Sequence, residues 1–450
     1  MSNLDFTVNV LGKGMVKSSL NPSSINNEDS FGFVTPHNRV LYDESLNHFN
    51  QCVKKKVTPI SFEKAGPHKN LYFESSKTKA AIVTCGGLCP GVNNVIQSIV
   101  NQLHYRYNVT HIIGFRYGFE GFIEEYNHEV FDLTPQSVDK IHLFGGTLLG
   151  TSRGEQDVTK IVDTLIAQHV NILFCIGGDG TLRGAHAIHN EVLRRKQSIT
   201  IAGIPKTIDN DISFIDKSFG FETAFTIAND IIRYAHNEAI GAYNGIAIVK
   251  LMGRNSGFIA AHAALSIHEV NFVLVPEVPF DLHGSNGFIN ALRKRLENRH
   301  HALIVVAEGA GQHLFDSSTF EKDESGNIKN KDIGLFLKEE ISKEFKKKNF
   351  RFTLKYIDPS YIIRSAPANA NDSKFCGLLA QNAVHAAMAG KTDFVIGHWN
   401  SNFILLPIPA AISKRKEIDV NGELWWNVLE TTGQPSLCSC NNDKIVPSSV

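Results

Sequence analysis

Apolar and polar positions along the chain form repeated units in which a short apolar run precedes a glycine turn and a helical pattern. In the central unit, the apolar run 172–176 ends at the turn Gly177-Gly178-Asp179-Gly180-Thr181. Apolar residues then recur at helical spacing, and a second apolar run follows at 199–204. This order predicts a strand, a tight turn, a crossover helix and a second strand.

The same alternation continues on both sides of the central unit. Further strands are predicted at 80–84, 112–115, 245–250, 272–275 and 302–307, and near residues 394 and 403. Helices are predicted at 92–103, from about 224 to 237, after residue 257 and from about 371 to 389, and 424–429 is the last apolar segment. Strands that alternate with helices predict α/β lobes with doubly wound parallel sheets.

Three segments fall outside this pattern. Residues 1–75 are rich in Asn, Ser, Lys and Gly, and their short apolar pieces at 31–34 and 40–42 predict an extended arm that packs against the rest of the chain. The arm could be an added domain or an oligomer clasp. The polar segment 315–331 predicts a surface loop, and the tail from residue 431 is predicted to be disordered.

Composition narrows the functional class. The 450 residues suffice for two or three domains with buried cores, and 45 basic residues balance 45 acidic ones, so no nucleic-acid partner is expected. Seven cysteines without zinc-finger spacing indicate reduced, structural thiols. No signal-peptide pattern and no apolar run of about 18 residues is present, so a cytoplasmic protein without a membrane partner is expected.

The glycine turns suggest phosphate chemistry. Glycines let a backbone approach a ligand closely, and the N-terminus of the following helix favours an anion. The strand after the central helix runs into Pro205-Lys206-Thr207-Ile208-Asp209-Asn210-Asp211, so both loops would lie at the same edge of a parallel sheet. The alternative is that the turn is an ordinary connection between a strand and a helix.

Other loops carry similar candidates. The turn at 85–91 follows the strand at 80–84, and Arg153 lies among small residues at 145–154. Met252-Gly253-Arg254 follows the strand at 245–250, and Glu308 follows the strand at 302–307. A positioned arginine beside a helix start suits a phosphorylated substrate. Otherwise both arginines are solvated surface charges and Met252 is a core residue.

The motifs together resemble a known family. GGDGT is similar to the signature of NAD kinases and diacylglycerol kinases, whereas PKTIDND narrows the resemblance to 6-phosphofructokinases. The motifs occur in the same order as in this family from about Lys79 to Trp425. Within the family, the chain resembles the long-chain ATP-dependent enzymes of plants and kinetoplastids. The resemblance implies phosphorylation of D-fructose 6-phosphate by ATP with Mg²⁺, in a homotetramer of subunits with two Rossmann-like lobes and the site between them.

The resemblance also implies a division of the chain. Residues 76–212 with about 390–420 would form the nucleotide lobe, and 213–389 would form the fructose 6-phosphate lobe. Residues 1–75 would be an N-terminal extension, and 421–450 a C-terminal helix and tail. The arm and the 315–331 loop exceed a minimal two-lobed kinase, so the resemblance further implies an allosteric nucleotide effector such as AMP.

Site residues follow from the same resemblance. Asp209 is expected to be the general base with Arg254 as a second catalytic residue, Asp179 to hold Mg²⁺, and Asp211 to support the metal or tune Asp209. The predicted donor-binding residues are Gly86, Gly87, Arg153, Gly154, Gly178, Asp179, Gly180, Thr181 and Lys206. The predicted sugar-binding residues are Thr207, Ile208, Asp209, Met252, Gly253, Arg254, Glu308, Tyr361, Ile362, Ile363 and Arg364.

Three departures and alternatives remain. Pyrophosphate-using relatives carry Asp at the position of Gly180, which favours ATP here, whereas Lys206 matches the pyrophosphate enzymes. Bacterial short-chain enzymes have an intersubunit arginine at the position of Gly245, so that contact is in doubt. A catalytically silent regulatory subunit is disfavoured because the chain retains Asp179, Asp209 and Arg254. A kinase for NAD or a lipid is disfavoured because it would have no reason to carry TIDND and Met252-Gly253-Arg254.

Overall fold

The computed structural model describes residues 4–20, 32–316, 318, 320–321 and 329–438. The chain divides into two compact units. The first comprises the described residues of 1–223 and 364–416, and the second those of 224–323, 327–363 and 417–450. Each unit is built around its own sheet.

The described residues form seventeen strands and twelve α-helices. The strands are β1 (Asn9–Val10), β2 (Val16–Lys17), β3 (Arg39–Leu41), β4 (Ser61–Lys64), β5 (Asn70–Leu71), β6 (Lys79–Thr84), β7 (His111–Phe115), β8 (Val130–Asp132), β9 (Ile172–Gly177), β10 (Thr200–Pro205), β11 (Gly245–Leu251), β12 (Phe272–Leu274), β13 (His301–Ala307), β14 (Thr353–Ile357), β15 (Lys391–Thr392), β16 (Phe394–Trp399) and β17 (Asn402–Pro407). The helices are α1 (Leu46–Lys55), α2 (Val92–Asn101), α3 (Val158–Ala167), α4 (Asp179–Arg194), α5 (Phe221–Ile240), α6 (Phe258–Ile267), α7 (Phe288–Arg299), α8 (Ile333–Lys347), α9 (Ser360–Arg364), α10 (Ala370–Met388), α11 (Ile408–Ala411) and α12 (Glu423–Thr432).

The first unit contains a nine-stranded sheet in the order β3-β4-β17-β16-β10-β9-β6-β7-β8. Its five central strands, from β16 to β7, are mutually parallel, as predicted. The four outer strands are antiparallel to their neighbours. Every residue of β9 and β10 is buried, because helices cover both faces of the parallel centre.

β16 and β17 form an antiparallel hairpin, which the sequence prediction of parallel sheets did not include. Only Asn400 and Ser401 separate the two strands, and both have positive φ, at 46° and 60°. A two-residue connection can join only antiparallel strands, and positive φ at both positions matches the twist of such a hairpin. The Asn400-Ser401 pair was the sequence signal that could have indicated this hairpin turn.

Part of the N-terminal arm extends the large sheet. β3 pairs with β4, and β4 pairs with β17. Phe62 of β4 is fully buried and contacts the rings of Tyr42, Phe214 and Trp399. The predicted apolar piece 40–42 therefore packs on the same chain, whereas residue 31 of the piece 31–34 lies outside the described residues.

The second unit contains a four-stranded, wholly parallel sheet in the order β12-β13-β11-β14. The apolar residues of β11 and β13 are buried in its core with those of α7 and α8. The described part of the tail is ordered, contrary to the prediction, since Leu437 is 7% exposed and Gln434 Oε1 accepts a bond from the Val273 amide at 2.6 Å. Residues 439–450 lie outside the described residues, as does most of 317–328.

The first unit also includes α10, which the sequence prediction placed with the sugar-binding lobe. The apolar face of α10 packs against α2, and Asn94 of α2 donates to Ser373 Oγ at 2.9 Å. Because this helix shares its core with the large sheet, the boundary falls near residue 364 and not at 389. Among the described helices, none is long and apolar enough to cross a membrane.

Candidate active site

Three loops of the first unit begin side by side at one edge of the large sheet. β6, β9 and β10 are adjacent and parallel, with Thr84 opposite Ile176 and Gly177 opposite Pro205. The Lys206 amide donates to the carbonyl oxygen of Gly177 at 2.9 Å, which continues the strand pairing into the loops. The sheet therefore brings together the 85–91, 177–181 and 205–211 loops, as the sequence predicted.

The first loop is held by the segment that carries Arg153. Gly86 has a φ of 85°, and its amide donates to the carbonyl oxygen of Ser152 at 2.9 Å. The Thr151 hydroxyl donates to the carbonyl oxygen of Gly86 at 2.6 Å. Arg153 Nη2 lies 3.4 Å from the position that a Cβ on Gly87 would take, so this guanidinium lies beside the first loop.

The second loop presents the N-terminus of α4. Gly178 caps the helix without a side-chain hydrogen bond, so the first amides of α4 have no partner from a capping side chain. A Cβ on Gly177 would lie 2.1 Å from Thr181 Oγ1, which makes glycine necessary at this turn. A Cβ on Gly180 would have no atom within 4 Å. The 16-residue helix thus offers an anion-binding terminus with open space beside it.

Asp179, the predicted magnesium ligand, is the first residue of α4. Arg183 donates to its carboxylate from Nε at 3.1 Å and from Nη2 at 3.3 Å, and Arg415 Nη2 lies 3.9 Å from Oδ2. The described residues hold no group of three His, Cys, Asp or Glu side chains suited to a metal ion. A single carboxylate still fits Mg²⁺, which commonly keeps waters and substrate phosphates as its other ligands.

Lys206 links the third loop to the first. Its side chain is almost wholly buried, and Nζ donates to the carbonyl oxygen of Gly87 at 2.6 Å. Burial lowers the pKa of this ammonium, and the nearby Arg153 lowers it further. The structure therefore places a buried cation beside the predicted donor site, next to Gly86.

The third loop is stabilised internally around Asp209. The Thr207 hydroxyl donates to Asp211 Oδ1 at 2.6 Å. Asn210 has a φ of 57°, and its side chain donates to the carbonyl oxygen of Asp216 at 3.1 Å. Asp211 therefore fixes Thr207 within the loop. Its predicted role, supporting the metal or tuning Asp209, stays a prediction.

A segment near residue 416 also contacts the third loop, and the sequence prediction missed it. The Lys416 amide donates to the carbonyl oxygen of Asp211 at 2.9 Å, and its Nζ donates to the carbonyl oxygens of Ile215 and Asp216 at 2.9 and 2.7 Å. Burial lowers the pKa of Lys416 to about 8, although the carboxylates of Asp216 and Asp211 act in the opposite direction.

In the second unit, the predicted sugar-binding loop and Glu308 follow neighbouring strands. The Glu308 amide donates to the carbonyl oxygen of Leu251 at 2.9 Å, and the Gly309 amide donates to that of Gly253 at 3.0 Å. Gly253 has a φ of 128°. A Cβ on Gly309 would lie 2.0 Å from the carbonyl oxygen of Arg254, so the two loops pack without room for a side chain there.

The short helix α9 carries the predicted Tyr-x-x-Arg pair. Tyr361 is 72% exposed and Ile362 is 67% exposed, so both side chains are accessible. Ile363 is fully buried, and its amide donates to the carbonyl oxygen of Pro359 at 3.0 Å. Neither its side chain nor its amide is therefore presented to a ligand, in contrast to the predicted sugar contact.

An ion cluster around the buried Lys250 supports this part of the second unit. Lys250 Nζ donates to Asp332 Oδ2 at 2.8 Å and lies 2.9 Å from Asp358 Oδ2. Burial lowers the pKa of Lys250, but the two carboxylates outweigh burial and raise it overall. Asp358 also accepts a bond from the Ser360 amide at the start of α9, at 3.1 Å. The sequence analysis did not identify this ion cluster. The available signal was the lysine within the otherwise apolar strand 245–251.

Gly245 cannot carry the intersubunit arginine of the bacterial short-chain enzymes. A Cβ at this position would lie 2.0 Å from the carbonyl oxygen of Ala239. The close approach of α5 to the start of β11 therefore requires glycine, which explains the departure noted in the sequence.

Comparison with known proteins identifies the family. The protein-family model described as Phosphofructokinase matches residues 79–387, more than half of the chain. The chain belongs to the phosphofructokinase family. This phosphofructokinase is 48% identical to the ATP-dependent 6-phosphofructokinase of Borreliella burgdorferi over 439 residues, which cover 96% of this chain and 97% of that relative.

One further relative and one solved structure are also similar to this chain. The ATP-dependent 6-phosphofructokinase 5, chloroplastic, of Arabidopsis thaliana is 44% identical over 91% of this chain and 77% of its own length. A solved structure, the pyrophosphate-dependent phosphofructokinase from Marinobacter aquaeolei, has a TM-score of 0.65 and 18% identity over 81% of this chain and 94% of that chain. At that identity, the structural likeness concerns the fold alone.

Proposed function

We propose that this phosphofructokinase transfers the γ-phosphoryl group of ATP to the 1-hydroxyl of D-fructose 6-phosphate, giving fructose 1,6-bisphosphate and ADP. The observation that carries the proposal is the set of three adjacent loops at the ends of β6, β9 and β10. They combine the open N-terminus of α4 with the cations Arg153 and Lys206 and the carboxylates Asp179 and Asp209. The high identity to relatives named ATP-dependent supports ATP as the donor.

The donor would lie against the first two loops. Phosphoryl transfer depends mainly on positioning and on neutralising phosphate charge. The amides of Gly178 to Thr181, the guanidinium of Arg153 and the ammonium of Lys206 supply that charge, with Gly86, Gly87 and Gly154 permitting close approach of the backbone. The hydroxyl of Thr181 packs against Gly177, so its contribution would come from its backbone amide.

Mg²⁺ would be held by Asp179 together with donor phosphates. When bound, Mg²⁺ neutralises phosphate charge. To bind Mg²⁺, the Asp179 carboxylate must then give up at least one of its hydrogen bonds from Arg183, whose side chain is exposed on α4.

The acceptor would be activated by Asp209. A carboxylate in this loop can take the proton from the sugar 1-hydroxyl, and Thr207 and Asp211 hold the loop in place. Sugar and phosphate contacts are assigned to Ile208, Met252, Gly253, Arg254, Glu308, Tyr361, Ile362 and Arg364. Ile363 is not assigned a contact with the sugar. Its buried side chain instead has a structural role at the base of α9.

Gly180 favours ATP over pyrophosphate. An aspartate here would occupy the space beside the α4 terminus and repel a nucleotide α-phosphate, whereas glycine leaves that space open. Lys206 can serve either donor, because its ammonium is a permissive cation. A pyrophosphate-dependent enzyme is therefore the second candidate, carried by the position of Lys206 beside Gly87.

A coupled assay of fructose 1,6-bisphosphate formation tests the proposal. Purified protein is supplied with fructose 6-phosphate, Mg²⁺ and either ATP or pyrophosphate. We expect product with ATP. No product with either donor, or product with pyrophosphate alone, would contradict the proposal. The proposal also includes a homotetramer in the cytoplasm, and light scattering would test the tetramer.

A further inference from the structure

Residues 412–416 pack against the donor site although they lie beyond the residues matched to the family, 79–387. Arg183 Nη2 donates to the carbonyl oxygen of Ile412 at 3.0 Å. Arg415 forms a β-bridge with Ile212, directly after Asp211. The segment is therefore fixed both to the first turns of α4 and to the loop that carries Asp209.

Arg415 is the residue of this segment that reaches the donor site. Its Nη2 lies 3.9 Å from Asp179 Oδ2, and its side chain is 35% exposed. Across the described part of the chain, its guanidinium makes no hydrogen bond, and Asp179 is the one carboxylate within ion-pair distance. At that separation the pair is too long for a hydrogen bond, so the donors of this guanidinium remain available.

Asp179 does not need Arg415 as its counter-charge. Arg183 already donates two hydrogen bonds to the same carboxylate. Arg415 therefore adds a positive charge beside an N-terminus that already attracts anions. Arg153 and Lys206 lie beside the adjoining 85–91 loop. An excess of cations over carboxylates at one edge of a sheet fits a polyphosphate.

We propose that Arg415 binds the phosphates of the phosphoryl donor. A guanidinium forms charge-assisted, often bidentate bonds to phosphate, and these are stronger than a partly exposed ion pair at 3.9 Å. The inference rests on the proposed function, because it assigns a further residue to the same donor site. Residues outside the matched family region would then complete that site.

Equilibrium binding of ATP tests this role without relying on turnover. Calorimetry compares the parent chain with Arg415→Gln, Arg415→Lys and Lys414→Gln, with and without Mg²⁺. Lys414 is exposed on the same segment, so its substitution is the matched control. Arg415→Gln should weaken ATP binding about 10- to 100-fold. Arg415→Lys should recover part of the loss, and Lys414→Gln should bind within about twofold of the parent.

Two further readouts separate binding from folding. The KM for fructose 6-phosphate and the melting temperature without ligand should be the same in Arg415→Gln as in the parent. A parent-like affinity for ATP in Arg415→Gln would overturn the inference while leaving the proposed function intact. So would a fall in melting temperature that matched the loss of affinity and was not reversed by Arg415→Lys. Failure of the parent chain itself to bind ATP would instead contradict the proposed function.

Discussion

The ammonium of Lys206 lies 2.6 Å from the carbonyl oxygen of Gly87 and so joins the ends of two strands that are not neighbours in the sheet. β9 lies between them and supplies the α4 terminus. The buried ammonium of Lys206 therefore contacts the 85–91 loop. The 177–181 turn lies between that loop and the loop that carries Lys206. This relationship makes the proposed donor site a single structure built from three loops.

Gly180→Asp should severely reduce the use of ATP. Juxtaposing like charges costs several kcal/mol, so we expect kcat/KM for ATP to fall by about 100-fold or more. Steady-state kinetics with ATP and with pyrophosphate measure the effect, and pyrophosphate activity is expected to appear because Lys206 is retained. Gly180→Ala is the control and should stay near the parent, since a Cβ meets no atom within 4 Å. Equal losses in both variants would contradict the charge argument.

Asp209→Ser should lower kcat by about 10²- to 10⁴-fold, because a positioned general base contributes that much. The KM for fructose 6-phosphate should change far less. Asp216→Ser is a matched control, since Asp216 is an exposed carboxylate in the same region and its carbonyl oxygen makes the structural bonds. Near-normal kcat in Asp209→Ser would exclude the assignment.

Lys250→Met should weaken both the second unit and the recognition of the sugar phosphate. Removing the cation leaves Asp332 and Asp358 facing each other, and for this partly exposed cluster we expect a loss of about 2 kcal/mol in the free energy of unfolding. The KM for fructose 6-phosphate should rise because Asp358 holds the start of α9. Lys355→Met, which removes an exposed lysine of β14, should change stability by less than about 0.5 kcal/mol. Equal effects of the two substitutions would argue against the cluster.

Stability should fall as the pH drops below neutral. Burial lowers the pKa of His68 and of His385 to about 4. The unfolded chain binds these protons below about pH 6.5. Because the native state takes them up only near pH 4, stability is full above pH 6.5 and is lost progressively between these values. Each histidine contributes on the order of 3 kcal/mol to that loss.

Denaturant unfolding between pH 7 and 5 checks this dependence. His385→Gln should reduce the slope of unfolding free energy against pH, even if it lowers stability overall by removing the 2.6 Å bond with Tyr107. His111→Gln, at an exposed position, should leave the slope unchanged. An unchanged slope in His385→Gln would show that this histidine does not carry the effect.

Local sequence patterns predicted the parts of the fold that depend on neighbouring residues. The strand, turn and helix around Gly177 follow from an apolar run, a glycine turn and helical spacing, and the structure has them as β9 and α4. The strand β14 was not predicted, because its side chains are only half-buried or exposed and give no apolar run. The order of strands in the sheet explains why the predicted loops meet.

Contacts between distant segments could not be predicted in this way. Asn94 and Ser373 are 279 positions apart, and their bond helps place α10 in the first unit. The approach of Arg415 to Asp179 is likewise invisible to local periodicity, and the segment around Arg415 has no motif of its own. Such contacts depend on how the helices pack on the sheet, which only the structure provides.

Transfer of label from γ-labelled ATP to fructose 6-phosphate tests the central claim most directly. The parent chain and Asp209→Ser are compared, and labelled pyrophosphate is supplied in parallel as the competing donor. We predict labelled fructose 1,6-bisphosphate from ATP in the parent, little or none in Asp209→Ser, and little from pyrophosphate. Label transfer from pyrophosphate and not from ATP would contradict the account and make Lys206, not Gly180, the residue that indicates the donor.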